Sequence, residues 1–325
     1  MSIEETIKGV PLRDRWTALV GDYVRIARFD HWVKNIFVLP GIALAMLLKP
    51  DYAHFDFLAF VIALLATGFT ASANYVINEY LDAEFDRHHP IKSKRPGAQG
   101  RLEARFVALE YVLLAGLGLG LAALINTPFL LTAVCLLAMG IIYNVRPLRS
   151  KDRAYADVLT EAVNNAIRLL LGWYTLDGIG IPPSSVILAY WMGGAYLMAI
   201  KRYAEYREIA DPARAGLYRR SFAHYSERSL LLSSFFYALN SVLFLGIFLV
   251  KYNVEYVLAF PLVAWLFVFY FHLGTKPRST AQAPEKLYRE RKLMLLVTAV
   301  VVAFVVLTFV DIPFMQDLVE PVHYP

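Results

Sequence analysis

Long apolar runs limit what this chain can fold into more than any other feature of its sequence. The clearest run extends from Phe57 to Val76 and contains no charged residue. A helix needs about 20 such residues to cross the hydrocarbon core of a bilayer. Similar runs recur along the 325 residues, of which 58% are hydrophobic and only 18% are charged. Because lipid cannot satisfy backbone polar groups, the sequence predicts an all-α integral membrane protein.

Nine of these runs are predicted to be transmembrane helices, and together they form a membrane domain over residues 31–312. Before it, residues 1–30 place Trp16, Tyr23 and other apolar residues among basic ones, which is typical of an amphipathic helix on the membrane surface. After it, residues 313–325 form a short tail. The nine spans lie near 32–48, 56–79, 103–125, 129–144, 157–174, 184–203, 230–250, 254–274 and 291–310.

The distribution of Lys and Arg predicts the orientation of these spans. Almost all basic residues fall in the N-terminal segment and in alternate loops, and the opposite side shows only Lys49 and Lys251. Basic loops stay in the cytoplasm. We therefore expect a protein of the inner (cytoplasmic) membrane, with its N-terminus in the cytoplasm and its tail outside.

An acidic motif ends the second predicted span. Asn78, Asp82 and Asp86 are four residues apart, so on a helix they share one face, and Glu79 lies beside it. Carboxylates at this end of a helix are unfavourable, because the C-terminal end of the helix dipole is already negative. A bound Mg²⁺ shared with a substrate phosphate would remove the conflict, since Mg²⁺ prefers oxygen ligands. A solvated acidic helix end is the alternative interpretation.

Basic residues follow two of the spans. Lys92, Lys94 and Arg95 come directly behind the acidic motif, where they suit a phosphate clamp, although they also fit plain topology signals. Lys201 and Arg202 close the sixth span, where cations also complement the helix dipole. Both groups are candidate phosphate ligands.

The fifth span carries an unusual polar stripe. It ends at Arg168, about 16 Å into the helix at the usual rise per residue. A charge at that depth is costly unless it is paired or faces a wet cavity. The stripe therefore indicates a polar cavity for an anionic ligand, or else a structural salt bridge between Arg168 and Glu161. Its members are Asp157, Glu161, Asn164, Asn165 and Arg168.

The acidic motif resembles the N-D-x-x-D-x-x-x-D signature of the UbiA-type intramembrane prenyltransferase superfamily, with Glu79 in place of the second-position Asp. Three stretches look most like the decaprenyl-phosphate phosphoribosyltransferase branch: His31 to Leu39, Asp86 to Pro96 and Lys201 to Glu205. Members that use prenyl diphosphates usually carry a second Asp-rich motif after the sixth span. Here that position reads Lys201 to Arg207, with Glu205 as its one acid.

This resemblance implies nine helices around a central polar cavity that is open to the cytoplasmic side. It also implies Mg²⁺-dependent transfer of 5-phosphoribose from phosphoribosyl diphosphate to a polyprenyl phosphate, with release of diphosphate, for cell-envelope glycan precursors. Asn78, Glu79, Asp82 and Asp86 would hold the metal, with Mn²⁺ as an alternative ion. Asn78, Asp82 and Asp86 would be catalytic.

The implied substrate contacts are mostly basic side chains. Lys34 would meet the lipid phosphate, and the others would hold the ribosyl donor. Expected partners are the bilayer and the two substrates, not nucleic acid, and a homo-oligomer is an open alternative to a monomer. The substrate-binding residues predicted are Lys34, Arg87, Lys92, Arg95, Tyr143, Asn144, Arg168, Lys201, Arg202 and Glu205.

Two other functions stay open at this point. One is an aromatic prenyltransferase of the same superfamily, which would move an isoprenyl group from a prenyl diphosphate to an aromatic acceptor. The other is a membrane transporter of an anionic solute that uses Arg168 and Asp157 as binding groups. The missing second Asp-rich motif argues against the first, and nine unrepeated spans argue against the second.

Overall fold

The computed structural model describes residues 20–49, 55–87, 92–176, 180–209 and 211–317. Within these ranges the chain forms helices and turns and no strand, as the apolar runs predict. Most of the predicted surface segment 1–30, residues 88–91 of the loop behind the acidic motif, and the end of the tail lie outside them.

The helices fall into two compact units. The first comprises Met1–Ile181 with Asp211–His224, and the second comprises Pro182–Ala210 with Tyr225–Pro325. The first unit contains α1 (Leu39–Leu48), α2 (Phe57–Leu81), α3 (Ala83–Asp86), α4 (Ala104–Ala123), α5 (Thr127–Asn144), α6 (Ala156–Trp173) and α8 (Pro212–Tyr218). The second contains α7 (Ser184–Ile209), α9 (Glu227–Tyr252), α10 (Phe260–Thr275), α11 (Arg291–Thr308) and α12 (Pro313–Asp317).

In the described ranges, seven helical segments are long and apolar enough to cross a membrane, so the chain is an integral membrane protein. The spans predicted near 157–174 and 184–203 also form helices, α6 and α7. These two are long enough but too polar to be counted with the seven. That they cross the membrane stays a prediction. The seven segments are Val20–Leu48, Phe57–Leu81, Ala104–Ala123, Thr127–Asn144, Glu227–Tyr252, Val254–Thr275 and Arg291–Thr308.

The first predicted span is not one regular α-helix. Phe29–Val38 forms a 3₁₀ helix, and α1 begins only at Leu39, with Pro40 in its first turn. Proline suits that position because the first N–H groups of a helix have no intrahelical partner. The indole of Trp32 donates to Ser72 Oγ of α2 at 2.9 Å, which fixes the 3₁₀ segment against the helix that carries the acidic motif.

α1 crosses α6 at very close range. A Cβ atom on Gly172 would lie 1.9 Å from the carbonyl oxygen of Val38, and one on Gly41 would lie 2.0 Å from that of Leu169. Real Cβ atoms do not approach so closely, so this crossing requires glycine on both helices. It brings the polar stripe of α6 next to the 3₁₀ segment that carries Lys34.

The second unit is built around α7. Ser241 of α9 donates to the carbonyl of Ala189 at 2.9 Å, and the ring of Tyr196 stacks on Phe267 of α10 at 4.9 Å. The outer residues of α11, such as Leu295 and Val301, are exposed. An apolar exposed surface of this kind suits contact with lipid.

We predict that Gly172→Ala lowers the free energy of unfolding by about 1–3 kcal/mol, because the added methyl group meets backbone atoms that cannot move aside. Gly116→Ala is the matched control, since a Cβ atom there meets nothing within 4 Å. The control should be neutral or slightly stabilising, as alanine favours helix. Thermal unfolding in detergent checks this, and equal stability of the two variants would contradict the close crossing.

Candidate functional site

The acidic motif spans a break in the helix. α2 ends at Leu81, Asp82 is its C-cap, and the short helix α3 begins at Ala83, so the predicted single helix is wrong in this detail. The backbone nevertheless keeps its register. The N–H of Asp82 donates to the carbonyl of Asn78 at 3.0 Å, and the N–H of Asp86 donates to that of Asp82 at 2.9 Å. Asp82 and Asp86 consequently line the same pocket.

Asp82 is held by two cations from the loop between α5 and α6. Lys151 Nζ lies 2.5 Å from Asp82 Oδ1, and Arg149 Nη2 lies 3.0 Å from the same oxygen. Lys151 also donates to Asn144 Oδ1 at 2.7 Å and is only 4% exposed. Such a buried pair is stable only when its remaining hydrogen-bonding groups are satisfied, which the contacts to Asn144 achieve.

Asp86 is held by the basic stretch behind the motif. Arg95 Nη1 lies 2.6 Å from Asp86 Oδ2, an ion pair that the predicted phosphate clamp did not include. Lys92 donates to the hydroxyl of Tyr218 in α8, and its Nζ lies 4.7 Å from the ring centroid. Arg87, by contrast, is exposed and donates to the carbonyl of Ala98 at 3.0 Å, outside the pocket.

Basic side chains outnumber acidic ones around this pocket. Arg149 also pairs with Asp152 at 3.1 Å, and Arg220 lies 3.7 Å from the same carboxylate. Five cations therefore face three carboxylates, an excess that favours an anionic ligand. The pocket is lined by Asp82, Phe85, Asp86, Lys92, Arg149, Lys151, Asp152, Tyr218, Arg219 and Arg220.

The charges in the pocket shift two pKa values. Burial alone would raise the pKa of Asp82, but the charges of Lys151, Arg149 and Arg219 outweigh it and hold this pKa below its ordinary value. Burial lowers the pKa of Lys151 to about 8; Arg149 and Arg219 act in the same direction, and Asp82 opposes them. Asp82 is therefore ionised at neutral pH, whereas Lys151 titrates just above it.

The other two predicted metal ligands have different partners. Asn78 Nδ2 donates to Asn144 Oδ1 at 2.5 Å. Glu79 is buried and pairs with Arg28, whose Nη2 lies 2.7 Å from Glu79 Oε2. Neither Asn78 nor Glu79 lines the pocket.

The outer half of the stripe on α6 meets the pocket. Asp157 accepts hydrogen bonds from Ser221 Oγ at 3.1 Å and from Arg219 Nη1 at 3.4 Å. The hydroxyl of Tyr143 donates to Glu161 Oε2 at 2.7 Å and accepts a longer contact from Arg219. Tyr143 and Asn144, both predicted, thus lie behind the pocket: Asn144 accepts directly from Lys151, and the ring of Tyr143 lies 5.7 Å from Lys151 Nζ.

Arg168 lies deeper in the same stripe. Its Nη1 donates to the carbonyl of Asn164 at 3.3 Å, and across the part of the chain that the structure describes it forms no ion pair. The alternative salt bridge with Glu161 is therefore not present. Lys34 lies over the ring of Tyr75, with Nζ 5.8 Å from the centroid.

Lys201, Arg202 and Glu205 belong to the second unit. Arg202 is 1% exposed, and its Nη1 lies 2.9 Å from Glu205 Oε2, one helical turn further along α7. This pairing gives Arg202 a structural role. Donor binding by the three residues stays a prediction.

Sequence reasoning did not identify Arg28, Arg149, Lys151, Arg219 and Arg220 as site residues. All five are basic residues close to predicted cytoplasmic ends of helices, where the positive-inside rule already accounts for them. The available signal was the density of charge in the short loop between α5 and α6, which carries Arg149 and Lys151 ahead of the acidic stripe.

The donor set fits a divalent cation in a restricted way. Among the described residues no cluster of three or more His, Cys, Asp or Glu side chains could hold a metal ion by itself. Mg²⁺, however, is usually bound by one or two carboxylates together with substrate phosphates and water. Asp82 and Asp86, on one pocket wall, provide such a pair.

Fold and site together define an integral membrane protein with a pocket lined mainly by basic and acidic side chains next to the end of α2. The model of the UbiA prenyltransferase family matches residues 36–296, so the chain belongs to that family. Its homologues indicate a transferase enzyme.

Two relatives illustrate how similar this chain is to known proteins. The chain is 31% identical over 218 residues to the decaprenyl-phosphate phosphoribosyltransferase of Mycobacterium tuberculosis, an alignment that covers 65% of this chain and 68% of that protein. It is 30% identical over 168 residues to the uncharacterized protein y4nM of Sinorhizobium fredii, covering 50% of this chain but only 30% of that longer protein.

Among solved structures, a UbiA homolog from Archaeoglobus fulgidus bound to GPP and Mg²⁺ superimposes with a TM-score of 0.67. The superposition covers 89% of this chain and 100% of that one at 20% identity. At this identity the likeness establishes the fold.

The pKa of Lys151 predicts how anion binding depends on pH. The ammonium group loses its proton between pH 7 and pH 9. At pH 9, metal-free diphosphate should therefore bind about tenfold more weakly to the native protein than to Lys151→Arg, whose guanidinium stays charged. Titration calorimetry with a chelator present measures both. Because diphosphate ionises in the same way in both experiments, its own ionisation does not affect the comparison. Parallel pH profiles would contradict a contact between diphosphate and Lys151.

The buried pair in α7 predicts a stability effect. Arg202→Gln leaves Glu205 buried without its cation and should cost about 3–5 kcal/mol. Arg207→Gln on the same helix is the control, because Arg207 is largely exposed and exposed ion pairs contribute little. Thermal unfolding distinguishes them, and equal melting temperatures would contradict a stabilising role for the pair of Arg202 and Glu205.

Proposed function

We propose that this protein transfers 5-phosphoribose from phosphoribosyl diphosphate to a polyprenyl phosphate and releases diphosphate. The observation that carries this proposal is the pocket in which Asp82 and Asp86 face five basic side chains. A prenyl diphosphate has one charged end. Phosphoribosyl diphosphate has a further phosphate, and Lys92 and Arg220 supply cations beyond those that hold Asp82.

The ion pairs of the pocket suggest how such a donor would bind. Lys151 and Arg149 neutralise Asp82, and Arg95 neutralises Asp86. A diphosphate that arrives with a divalent cation would exchange these pairs, so that the carboxylates face the cation and the basic side chains face the phosphates. The exchange leaves no buried charge unpaired, which keeps its cost low.

The reaction breaks the bond between ribose C1 and the diphosphate oxygen and forms one between C1 and an oxygen of the lipid phosphate. Asp82 and Asp86 would hold the cation; Mg²⁺ there would neutralise charge on the departing diphosphate, with Mn²⁺ as an alternative. Lys151 and Arg149 would stabilise the same developing charge from fixed positions. The acceptor phosphate is already anionic, so no side chain need act as a general base.

The comparisons support this proposal at different levels. The Mycobacterium tuberculosis relative is named for phosphoribosyl transfer to decaprenyl phosphate, and the Archaeoglobus fulgidus structure contains Mg²⁺ with a prenyl diphosphate. We extend to this chain a divalent metal and a polyprenyl phosphate acceptor. We likewise propose nine spans, a cytoplasmic N-terminus and a pocket that faces the cytoplasm, as the basic loops predict.

Asp82→Asn and Asp86→Asn keep the shape of each side chain but remove its charge. We expect each to lower Mg²⁺-dependent diphosphate release by about a hundredfold or more, since a catalytic metal contributes several kcal/mol. Asp56→Asn is the control, because Asp56 caps the opposite end of α2 and asparagine caps equally well.

The assay compares phosphoribosyl diphosphate with geranyl diphosphate as donor, in membranes that contain a polyprenyl phosphate or an aromatic acceptor. Near-normal turnover by both aspartate variants would make the motif a solvated helix end. Saturable turnover of geranyl diphosphate alone would favour the aromatic prenyltransferase.

A further inference from the structure

A second group of cations lies in the first unit, away from the pocket and around Tyr75 of α2. We infer that Lys34, Arg168 and Tyr75 form a separate subsite for the phosphate group of a lipid. Assigning that lipid as the acceptor rests on the proposed function; the site itself rests on the contacts described next.

Tyr75 is the centre of the cluster. Lys34 Nζ and Arg28 Cζ each lie 5.8 Å from its ring centroid, and the ring of His31 meets it edge-on at 5.4 Å. The helix that carries Arg168, α6, packs against both α2 and the 3₁₀ segment Phe29–Val38, and the charge of Arg168 acts on the hydroxyl of Tyr75. The cluster therefore lies where these three segments meet.

The positive charge of this cluster is only partly compensated. Arg28 is paired with Glu79, but over the described ranges neither Lys34 nor Arg168 forms an ion pair. Arg168 is 8% exposed, and its Nε is buried without a hydrogen-bond partner. A buried, unpaired guanidinium in a membrane protein is costly unless a ligand satisfies it, and phosphate is the anion that its fork geometry suits best.

The depth of the cluster relates it to the first pocket. Tyr75 precedes Asp82 by seven residues, which is two helical turns, or about 10 Å, on nearly the same face of α2. Glu161 and Tyr143 lie between the two, since Glu161 interacts with both the hydroxyl of Tyr75 and that of Tyr143. A phosphate at the cluster would therefore approach a donor in the pocket from the membrane side.

An apolar groove of about 430 Å³ supplies the argument for a lipid. It is lined by Trp32, Val33, Asn35 and Ile36 on one side and by apolar residues of α2 on the other. These four residues directly flank Lys34 in the sequence. The groove lies along the 3₁₀ segment that carries Lys34, although Lys34 itself does not line it, and it belongs to two segments apolar enough to span the membrane. In this inference the groove holds the lipid chain, and Lys34 on the same 3₁₀ segment meets the phosphate.

The test measures equilibrium binding of radiolabelled farnesyl phosphate to the detergent-solubilised protein, with no donor present. Lys34→Gln and Arg168→Gln should each weaken binding about tenfold, since each removes one charge-assisted contact. Arg105→Gln, which changes an exposed cation on α4, should not. Binding of farnesol should be weak and equal in all proteins, and inorganic phosphate should not compete.

Three results would overturn the inference. Unchanged affinity of Lys34→Gln and Arg168→Gln for farnesyl phosphate would show that neither cation contacts the phosphate. An equal loss of farnesol binding would show a change in groove shape alone, and strong competition by inorganic phosphate would assign the cluster to a free anion. If Arg168→Gln lowers the melting temperature, the test uses two other variants: Lys34→Gln, at a partly buried position, and Tyr75→Phe, which removes only a hydroxyl group.

The inference and the proposed function fail in different ways. The inference assigns Arg168, which the sequence predicted as a donor contact, to the lipid phosphate instead. The affinity for phosphoribosyl diphosphate should therefore be the same in native protein and Lys34→Gln. A protein that binds farnesyl phosphate through this cluster but never uses phosphoribosyl diphosphate would keep the subsite and lose the proposed donor.

Discussion

The buried contact of Asp82 with Lys151 and Arg149 is the constraint on which the candidate site depends. It joins the end of α2 to the loop between α5 and α6, two parts of the chain that are far apart in sequence. All three side chains line the pocket. Burial lowers the pKa of Lys151 to about 8 against the opposing charge of Asp82, so the same contact contributes to both the lining and the charge of the site.

Each carboxylate of the acidic motif is paired with a cation from a different segment. Asp86 is paired with Arg95, and Glu79, where the family signature has Asp, is paired with Arg28. Helix dipoles disfavour negative charge at this end of α2, and the four paired cations, Lys151, Arg149, Arg95 and Arg28, offset that cost. The departure from the signature at Glu79 therefore concerns a residue that faces Arg28 and not the pocket.

Sequence patterns predicted the fold better than the site, for a physical reason. Hydrophobic runs are local, so the order of residues alone predicted nine spans, and seven of them correspond to described helical segments that are long and apolar enough to cross a membrane. The four-residue spacing likewise identified Asp82 and Asp86 as neighbours. Lys151 and Arg219 could not be found in this way, since tertiary packing brings them to the motif and no local periodicity encodes it.

Arg202 and Arg168 show how burial alone fails to separate structural from functional charge. Both guanidinium groups are buried. They lie in helices α7 and α6, which are not among the seven apolar membrane segments. Arg202 has Glu205 one turn away, so its charge is balanced within α7. Arg168 has a carbonyl oxygen and, in the described part of the chain, no carboxylate. A protein that evolved for stability alone would gain by replacing such an arginine with an apolar residue. Its presence on a helix that packs against the 3₁₀ segment of Lys34 is explained more simply by an anion that reaches it from the bilayer.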